Sequence, residues 1–562
     1  MSATINHAKI DDVIKRNIPV FSKPGALTVR PGFKISNGWI TDKPAIVVTV
    51  DKKLDGLPAA QKLPTSIEGV PVDVREATGL QRLRAKSPAS FELAKVHMRD
   101  ENREPDFALE RSLPSGNLIP STQKTSSATS IPAGPPKTPV QYAAPAGAPL
   151  KKFTKNTSII CWASPDDGFT VLKDFLSQTT TDLTIAMYDF TSADILNEVI
   201  SVIQPGNMQF KMVLDHPPRN PTANQTDDVT RTDILNSDPN AEINWALTRN
   251  DPVVTEWIFP TAYHIKVAVR DSKAFMLSSG NYNVSNQPNL AANDPAKGSL
   301  ANADRDWHVI VLDPEMALLF KAYIDNDFTV AQNGQSAGNQ VQHNLIKSAM
   351  SNLQAESAKS TFQARNTAPA STLGKQKLFN NVPVSIQPLL TPDPGVHTSM
   401  YVDNILALIQ SAQKTVYMQT QYIHPSTNAG DQDFMLLVNA LSNAKKNGLD
   451  VKVITSQFEN TPQWIEVLHQ NDLVEGVLKI QNRVHNKGIV VDSKVVLVSS
   501  QNWSADGTLR NRDAGVIIEN ADIAKYFEAI FLDDWNVRAD VKIVDASQPV
   551  STTTAGGATV DV

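Results

Sequence analysis

YHIKVAVRDSKAFMLSSGNYN, residues 263–283, and VHNKGIVVDSKVVLVSSQNWS, residues 484–504, are two copies of one pattern. Each holds His-x-Lys-x4-Asp, at His264/Lys266/Asp271 and at His485/Lys487/Asp492. In each, Ser-Ser-x-Asn begins seven residues after the aspartate, at Ser278-Ser279-Gly280-Asn281 and Ser499-Ser500-Gln501-Asn502. With ten histidines in the chain, and Lys and Asp each near one residue in about twenty, chance supplies ~0.03 matches to the first part alone. Two matches that share the second part mark an internal duplication. An Arg-Asp pair then precedes an apolar run in each copy, Arg305-Asp306 before WHVIVL and Arg512-Asp513 before AGVII.

Strand geometry explains the spacing. Side chains at i and i+2 share a face, so His264 and Lys266 project together while Ile265 turns away, as do His485 and Lys487 around Asn486. A hairpin turn at Asp271-Ser272-Lys273, or at Asp492-Ser493-Lys494, returns a second strand whose end brings Ser and Asn beside His and Lys. Ammonium, imidazole, hydroxyl and amide gathered in one cluster suit a phosphate.

Outward from these blocks, strands alternate with amphipathic helices, the grammar of an α/β sheet covered on both faces. Strands are expected at 182–188 (DLTIAMY) and 210–214, with a helix at 192–203 between them. The second half repeats this with helices at 404–411 and 434–447 and strands at 415–421 and 451–455. SPDDG at 164–168 and TPDPG at 391–395 open the two sets. The segment 331–380, rich in Gln, Asn, Ser and Ala with a helix expected at 344–360, reads as a bridge between halves 151–330 and 381–545. Residues 546–562 read as a disordered tail.

Ahead of the first half, 112–150 is a Pro/Ser/Thr/Ala-rich stretch that cannot support a core and reads as a disordered linker. It sets off residues 1–111 as an independent α/β or β-rich module, with strands expected at 45–50 and 70–74. At 562 residues, several structural units are expected. The formal net charge of −6 provides no global basic field for nonspecific nucleic-acid binding. The single cysteine, Cys161, excludes an intrachain disulfide and a cysteine metal cluster. With no secretory apolar run near Met1 and no stretch of about 18 uncharged apolar residues, the chain is expected to be made as a soluble cytoplasmic protein, with export by a route without a signal peptide left open.

Through HIKVAVRD with SSGN and HNKGIVVD with SSQNWS, the chain resembles the phospholipase D superfamily over roughly residues 155–540. The resemblance implies two pseudo-symmetric phospholipase D-like α-β-α sandwich halves, each with a mixed sheet, sharing one site across a pseudo-twofold axis. It implies the site residues His264, Lys266, Asp271, His485, Lys487 and Asp492. One histidine attacks phosphorus and the other protonates the leaving oxygen, with His264 taken as nucleophile and His485 as acid. Ser279, Asn281, Ser500 and Asn502 are the implied phosphate binders, and Asp306 and Asp513 orient a histidine through Nδ1. Asp271 and Asp492 are assigned chiefly to bracing the motif loop. No cofactor and no metal are implied. Serine at 278 and 499, where the family has glycine, and Asp where Glu is frequent at 306 and 513, depart from the pattern. The segment from Asn283 to Asp306 spans 23 residues against 9 from Ser504 to Asp513, an asymmetric loop near the pocket mouth.

His216, His308, His343, His397, His424 and His469 lack a repeated motif and their spacing suggests no metal site. His424 alone is weighed as a pocket residue, with packing favoured. Trp503 and Cys161 read as core. The expected substrate is a phospholipid, or another phosphodiester, with peripheral membrane contact. Nucleic acid is the alternative, since Asn-Trp-Ser is frequent in the nuclease-like branch; an inactive scaffold is a distant third. One chain suffices for a complete site.

Overall fold

The repeated strand-helix grammar closes into one continuous sheet rather than two separate ones. The structure is a computed structural model that describes residues 7–36, 38–54, 56–89, 91–92, 103–114, 142–204, 208–215, 226–250, 255–259, 261–294, 296–332, 373–457 and 462–541. The N-terminal region carries β1 (Ala26–Ser36), β2 (Trp39–Val50), β3 (Ser66–Ile67), β4 (Val70–Glu76) and β5 (Arg111–Ser112), ordered β3-β4-β2-β1-β5. The first half contributes β6 (Phe153–Ser164), β7 (Asp182–Met187), β8 (Gln209–Leu214), β9 (Glu242–Trp245), β12 (Val267–Arg270), β13 (Ala274–Ser278) and β14 (Asp306–Leu312), with β10 (Leu247–Asn250) and β11 (Thr255–Trp257) forming a separate ribbon. The second half contributes β15 (Lys377–Thr391), β16 (Thr415–Thr420), β17 (Asp450–Ser456), β18 (Leu478–Gln481), β19 (Lys487–Val491), β20 (Val495–Ser499) and β21 (Asp513–Glu519).

The sheet order is β18-β17-β16-β19-β20-β21-β15-β6-β14-β13-β12-β7-β8-β9. Read from its middle, it is the same seven-strand series in both directions. The seam is the antiparallel pair of β6 and β15, from Lys377 opposite Cys161 to Ile386 opposite Phe153. Residues 377–380, read from sequence as bridge, therefore begin a central strand. The helix expected at 344–360, the tail 546–562, His216 and His343 lie outside the described residues.

Alternation along the strands distributes the core. Leu183, Ile185 and Met187 pack under the helices Gly168–Ser177, Ala193–Ile203 and Asp227–Ser237, while the helices Met400–Ser411, Gln432–Lys446 and Pro462–Gln470 cover the second half similarly. On the opposite face the helices Pro314–Ala331 and Ala521–Asp533 share one apolar core that runs across both halves. Trp307 of the first half lies so close to β19 that a Cβ at Gly488 would sit 2.2 Å from its Cε3. That approach is open only to glycine.

Two fully buried arginines cross the seam. Arg305 donates to Asp166 Oδ2 at 2.9 Å in its own half and to Asp534 Oδ2 at 2.8 Å in the other. Arg512 mirrors it, with Asp393 Oδ2 at 2.7 Å in its own half and Asp327 Oδ1 at 2.8 Å in the first. Tyr142 lays its ring 4.7 Å from the Arg512 guanidinium and accepts a hydrogen bond from it. Ala143 and Leu150 accept from Asn326 and Gln387. Residues 142–150 are thus packed against the body and are not linker, because an aromatic side chain there covers a buried cation.

The N-terminal region is docked too. Glu466, with no exposed surface, takes Arg30 Nη1 at 2.7 Å on one oxygen, and Arg30 Nη2 at 2.8 Å and Arg75 Nη1 at 2.7 Å on the other. Burial raises its carboxyl, but the two guanidiniums outweigh that and hold it below the usual range. Trp464 Nε1 donates to Arg103 O at 2.9 Å, and Phe33 and Ile40 join the second-half core. The independence expected of residues 1–111 gives way because this ion cluster is closed only by the body.

Removing one member of a buried ion cluster strands the others without compensation, at a cost of about 3–5 kcal/mol. Arg512→Leu is expected to lower unfolding stability by that amount in urea titrations, with a comparable loss for Arg305→Leu.

Candidate active site

The hairpin turns close as the motif spacing requires. Arg270 pairs with Ala274 across the first, and Val491 with Val495 across the second. Asp271, Ser272, Asp492 and Ser493 all adopt positive φ, between 50° and 54°, a conformation that Asp tolerates better than most residues. The Asp271 Oδ1 atom accepts from the N–H groups of Thr180 and Thr181 at 2.8 and 2.7 Å. Asp492 accepts from Gln413, Lys414 and Thr415, each at 2.8 Å. Both aspartates stand at the turn end of their hairpins, braced against the loop before β7 or β16. They are therefore kept apart from the reacting groups and brace the motif loop. Burial works to raise both carboxyls, and the backbone donors overcome it and hold them low.

At the other end of these hairpins the two halves meet. The backbone of Tyr263 bridges Arg512 and that of Val484 bridges Arg305, so each Arg-Asp pair is threaded beside the histidine of the opposite half. His264 Nδ1 lies 2.7 Å from Asp513 Oδ1, and His485 Nδ1 lies 3.1 Å from Asp306 Oδ1. The aspartate–histidine contacts thus cross between the halves. With Nδ1 committed to a carboxylate, Nε2 is the nitrogen through which each ring can react.

Lys266 and Lys487 are buried and each returns to the carbonyl oxygen of its own motif histidine. Lys487 Nζ also lies 3.0 Å from His485 Nδ1 and 3.2 Å from its Nε2, and comes within 3.5 Å of Ser279 O in the other half. The carboxamide oxygens of Asn281 and Asn502 make no hydrogen bond among the described residues. Histidines, lysines and asparagines from both motifs therefore converge in one cluster.

The serines are tied to the aspartates. Ser279 Oγ donates to Asp306 Oδ1 at 2.7 Å and accepts from Trp307 N–H at 3.0 Å; Ser500 Oγ donates to Asp513 Oδ1 at 2.5 Å and accepts from Ala514 N–H at 3.0 Å. In this arrangement their one hydroxyl proton goes to the carboxylate, so they brace the aspartates. Burial pushes Asp513 up to about 7 against the pull of Lys266, Ser500, Lys487 and Asn511. Asp306 is likewise raised by burial and drawn back by Lys487, His308, Ser279 and Lys266.

Three neighbours were not singled out by motif. The Tyr188 ring stands edge-on to His264 at 4.5 Å, with Lys266 Nζ 5.0 Å from its centroid; its position at the end of a strand was the available signal. His308 bonds Ser278 Oγ through Nδ1 at 2.8 Å and Ser164 Oγ through Nε2 at 2.9 Å, and burial pushes it down to about 4, so it supports the motif as a neutral ring. Asn286, in the long loop, touches both Asn281 and Asp306. His424 is sandwiched between Tyr422 at 4.0 Å and Trp464 at 3.9 Å, a packing role. Trp503 is core, its Nε1 bonded to Tyr401 at 3.0 Å.

A family model described as "Cardiolipin synthase, PLD-like domain" matches residues 405–535. A phospholipase D of Rickettsia felis is 28% identical over 122 residues, 21% of this chain and 56% of that protein. Cardiolipin synthase A of Buchnera aphidicola is 24% identical over 152 residues, 26% of this chain and 29% of that one. The chain spans about half the length of the phospholipase D relatives it matches. Among solved structures, the phosphatidylserine synthase of Haemophilus influenzae covers 70% of this chain and 89% of its own, at 14% identity and a TM-score of 0.46. Nuc of Salmonella typhimurium, a phospholipase D family member, covers 28% of this chain and 98% of its own, at 24% identity and a TM-score of 0.24. Fold and site together define a duplicated α/β protein whose single His-Lys-Asn cluster is built by both halves. In its second half the chain is similar to the phospholipase D-like domain, and the same motif recurs in its first half.

Because the Asp271 carboxyl is held below its ordinary value of 3.8, its contribution is complete above that value and is lost as the pH falls through the lowered one. Asp271→Asn should cost about 1–3 kcal/mol near neutrality, leave kcat close to wild type, and show a stability deficit that vanishes at the acid end of a pH series of urea melts.

Proposed function

We propose that the chain is a phosphodiesterase that works through a phosphohistidine and that its substrate is a phospholipid, cleaved by water or transferred to an alcohol. The observation that carries this reading is the crossed pair of histidine–aspartate contacts, which sets two imidazoles, each oriented through Nδ1, into one cluster with two lysines. His264 Nε2 attacks phosphorus as the bond to the leaving oxygen breaks, and His485 Nε2–H gives that oxygen its proton. His485 then takes a proton from water or an alcohol, whose oxygen attacks the phosphohistidine and releases His264. Lys266, Lys487, Asn281 and Asn502 hold the nonbridging oxygens and stabilise the charge spread over them in each transition state.

Lipid is favoured over nucleic acid on two grounds. The relatives matched in sequence bear the names phospholipase D and cardiolipin synthase, and the net charge of −6 offers no global attraction to a polyanion. Among the described residues no helix is long and apolar enough to cross a membrane, so contact with a bilayer is peripheral in this reading.

Headgroup release from phosphatidylcholine and phosphatidylglycerol vesicles is expected to persist in EDTA. It should fall by about 10³-fold or more in His264→Ala and in His485→Ala, with the double variant little worse than either, because the two act as a unit. Cleavage of single- or double-stranded DNA with the same mutant pattern, and none of lipid, would move the substrate to nucleic acid.

A further inference from the structure

The two half-sites are related by symmetry but are not equal. Asn286, 1% exposed, enters the first half-site from the long 283–306 loop. Its Oδ1 accepts from the Asn281 N–H at 3.0 Å. Its Nδ2 donates to Asp306 Oδ2 at 3.0 Å and to Asp304 Oδ2 at 3.1 Å. The seat exists because residue 280 is glycine: a Cβ there would stand 2.9 Å from Asn286 Cβ and 2.6 Å from Asp306 Oδ2. At the matching position the second half has Gln501, and Asp513 Oδ2 meets no donor at full hydrogen-bond geometry among the described residues, although the nearby Asn511 amide pulls on the carboxyl. Asp306 is thus held on both oxygens, by Ser279 and His485 on one and Asn286 on the other.

We propose that Asn286 is a positioning residue that fixes the unequal roles of the two histidines: by holding Asp306 ionised and aimed at His485, it makes His485 the proton donor and leaves His264 as the attacking base. This rests on the phosphodiesterase reading above. The carboxylate is the pivot, because an ionised acceptor at Nδ1 stabilises imidazolium and a protonated one does not. Facing Asp306 are Lys487, His308, Lys266, Asp304 and His485; facing His485 are Asp306, Lys487 and Asp304. Asn286 is the donor seated on the far oxygen of Asp306; in the second half that place is left to the pull of Asn511 on Asp513, from the chain segment beside it and not from a loop. Burial raises both carboxyls, Asp306 and Asp513 alike, so the difference between them lies in the donors around each.

The test is an NMR titration of the His264 and His485 ring carbons in the full chain, which requires no substrate. In Asn286→Ala the His485 midpoint is expected to fall by about one pH unit or more while that of His264 stays in place. Asn286→Leu, close to asparagine in volume but without a donor for Asp306, should produce the same selective fall, and it provides the reading if Asn286→Ala does not fold. On the substrate that the wild type turns over, kcat should drop about tenfold with KM little changed, as for a lost proton donor. Equal movement of both histidines, or a folded variant in which His485 does not move, overturns the proposal. Absence of any activity in the wild type overturns the phosphodiesterase reading, while the titration still decides whether Asn286 acts selectively on His485.

Discussion

Everything near the cleft depends on two arginines that are fully buried and therefore must be neutralised from both halves. Arg305 and Arg512 each hold one aspartate at home and one across the seam. Desolvating three charged groups is costly, and only a complete set of short, directed hydrogen bonds offsets it. Neither half can supply that set alone. Since Asp306 and Asp513 are the next residues in the chain, the same contact that locks the halves delivers each carboxylate to the other half's histidine. Structural closure and assembly of the site are one event.

This economy also explains why the sequence disclosed the site's membership but not its wiring. Repetition of His-x-Lys-x4-Asp and of Ser-Ser-x-Asn identified the two halves, the hairpins and the converging side chains, because strand periodicity is local and reads directly from spacing. The crossing of Asp306 to His485 and of Asp513 to His264 is a relation between segments 179 and 249 residues apart, and no local pattern encodes it. The contacts of Ser279 and Ser500 with the aspartates were hidden for the same reason: a hydroxyl suits a phosphate or a carboxylate equally well, and the register of β13 against β14 and of β20 against β21 brings the carboxylates to them. Composition misled at 142–150, where a Pro/Ala-rich stretch contains a tyrosine that covers Arg512.

The asymmetries are as informative as the repeat. Gly280 opposite Gln501, His308 opposite Gly515 and Gly488 beneath Trp307 are places where one half has taken space that the other gave up. Each alters packing under the cluster while leaving the motif residues unchanged. A duplicated fold can in this way keep its chemistry fixed and still assign different duties to its two copies.

The Glu466 cluster has a consequence for the order in which the molecule is made. Arg30 and Arg75 wait for a carboxylate that lies 436 and 391 residues downstream. At ribosomal rates of about 5–20 residues per second the nascent N-terminal region spends roughly 20–90 s with those guanidiniums hydrated and its docking face uncovered. Its own strands pair over short distances and can form at once, but its attachment is reserved for a helix translated long afterwards. A region that emerges early from the ribosome is thus among the last to be secured.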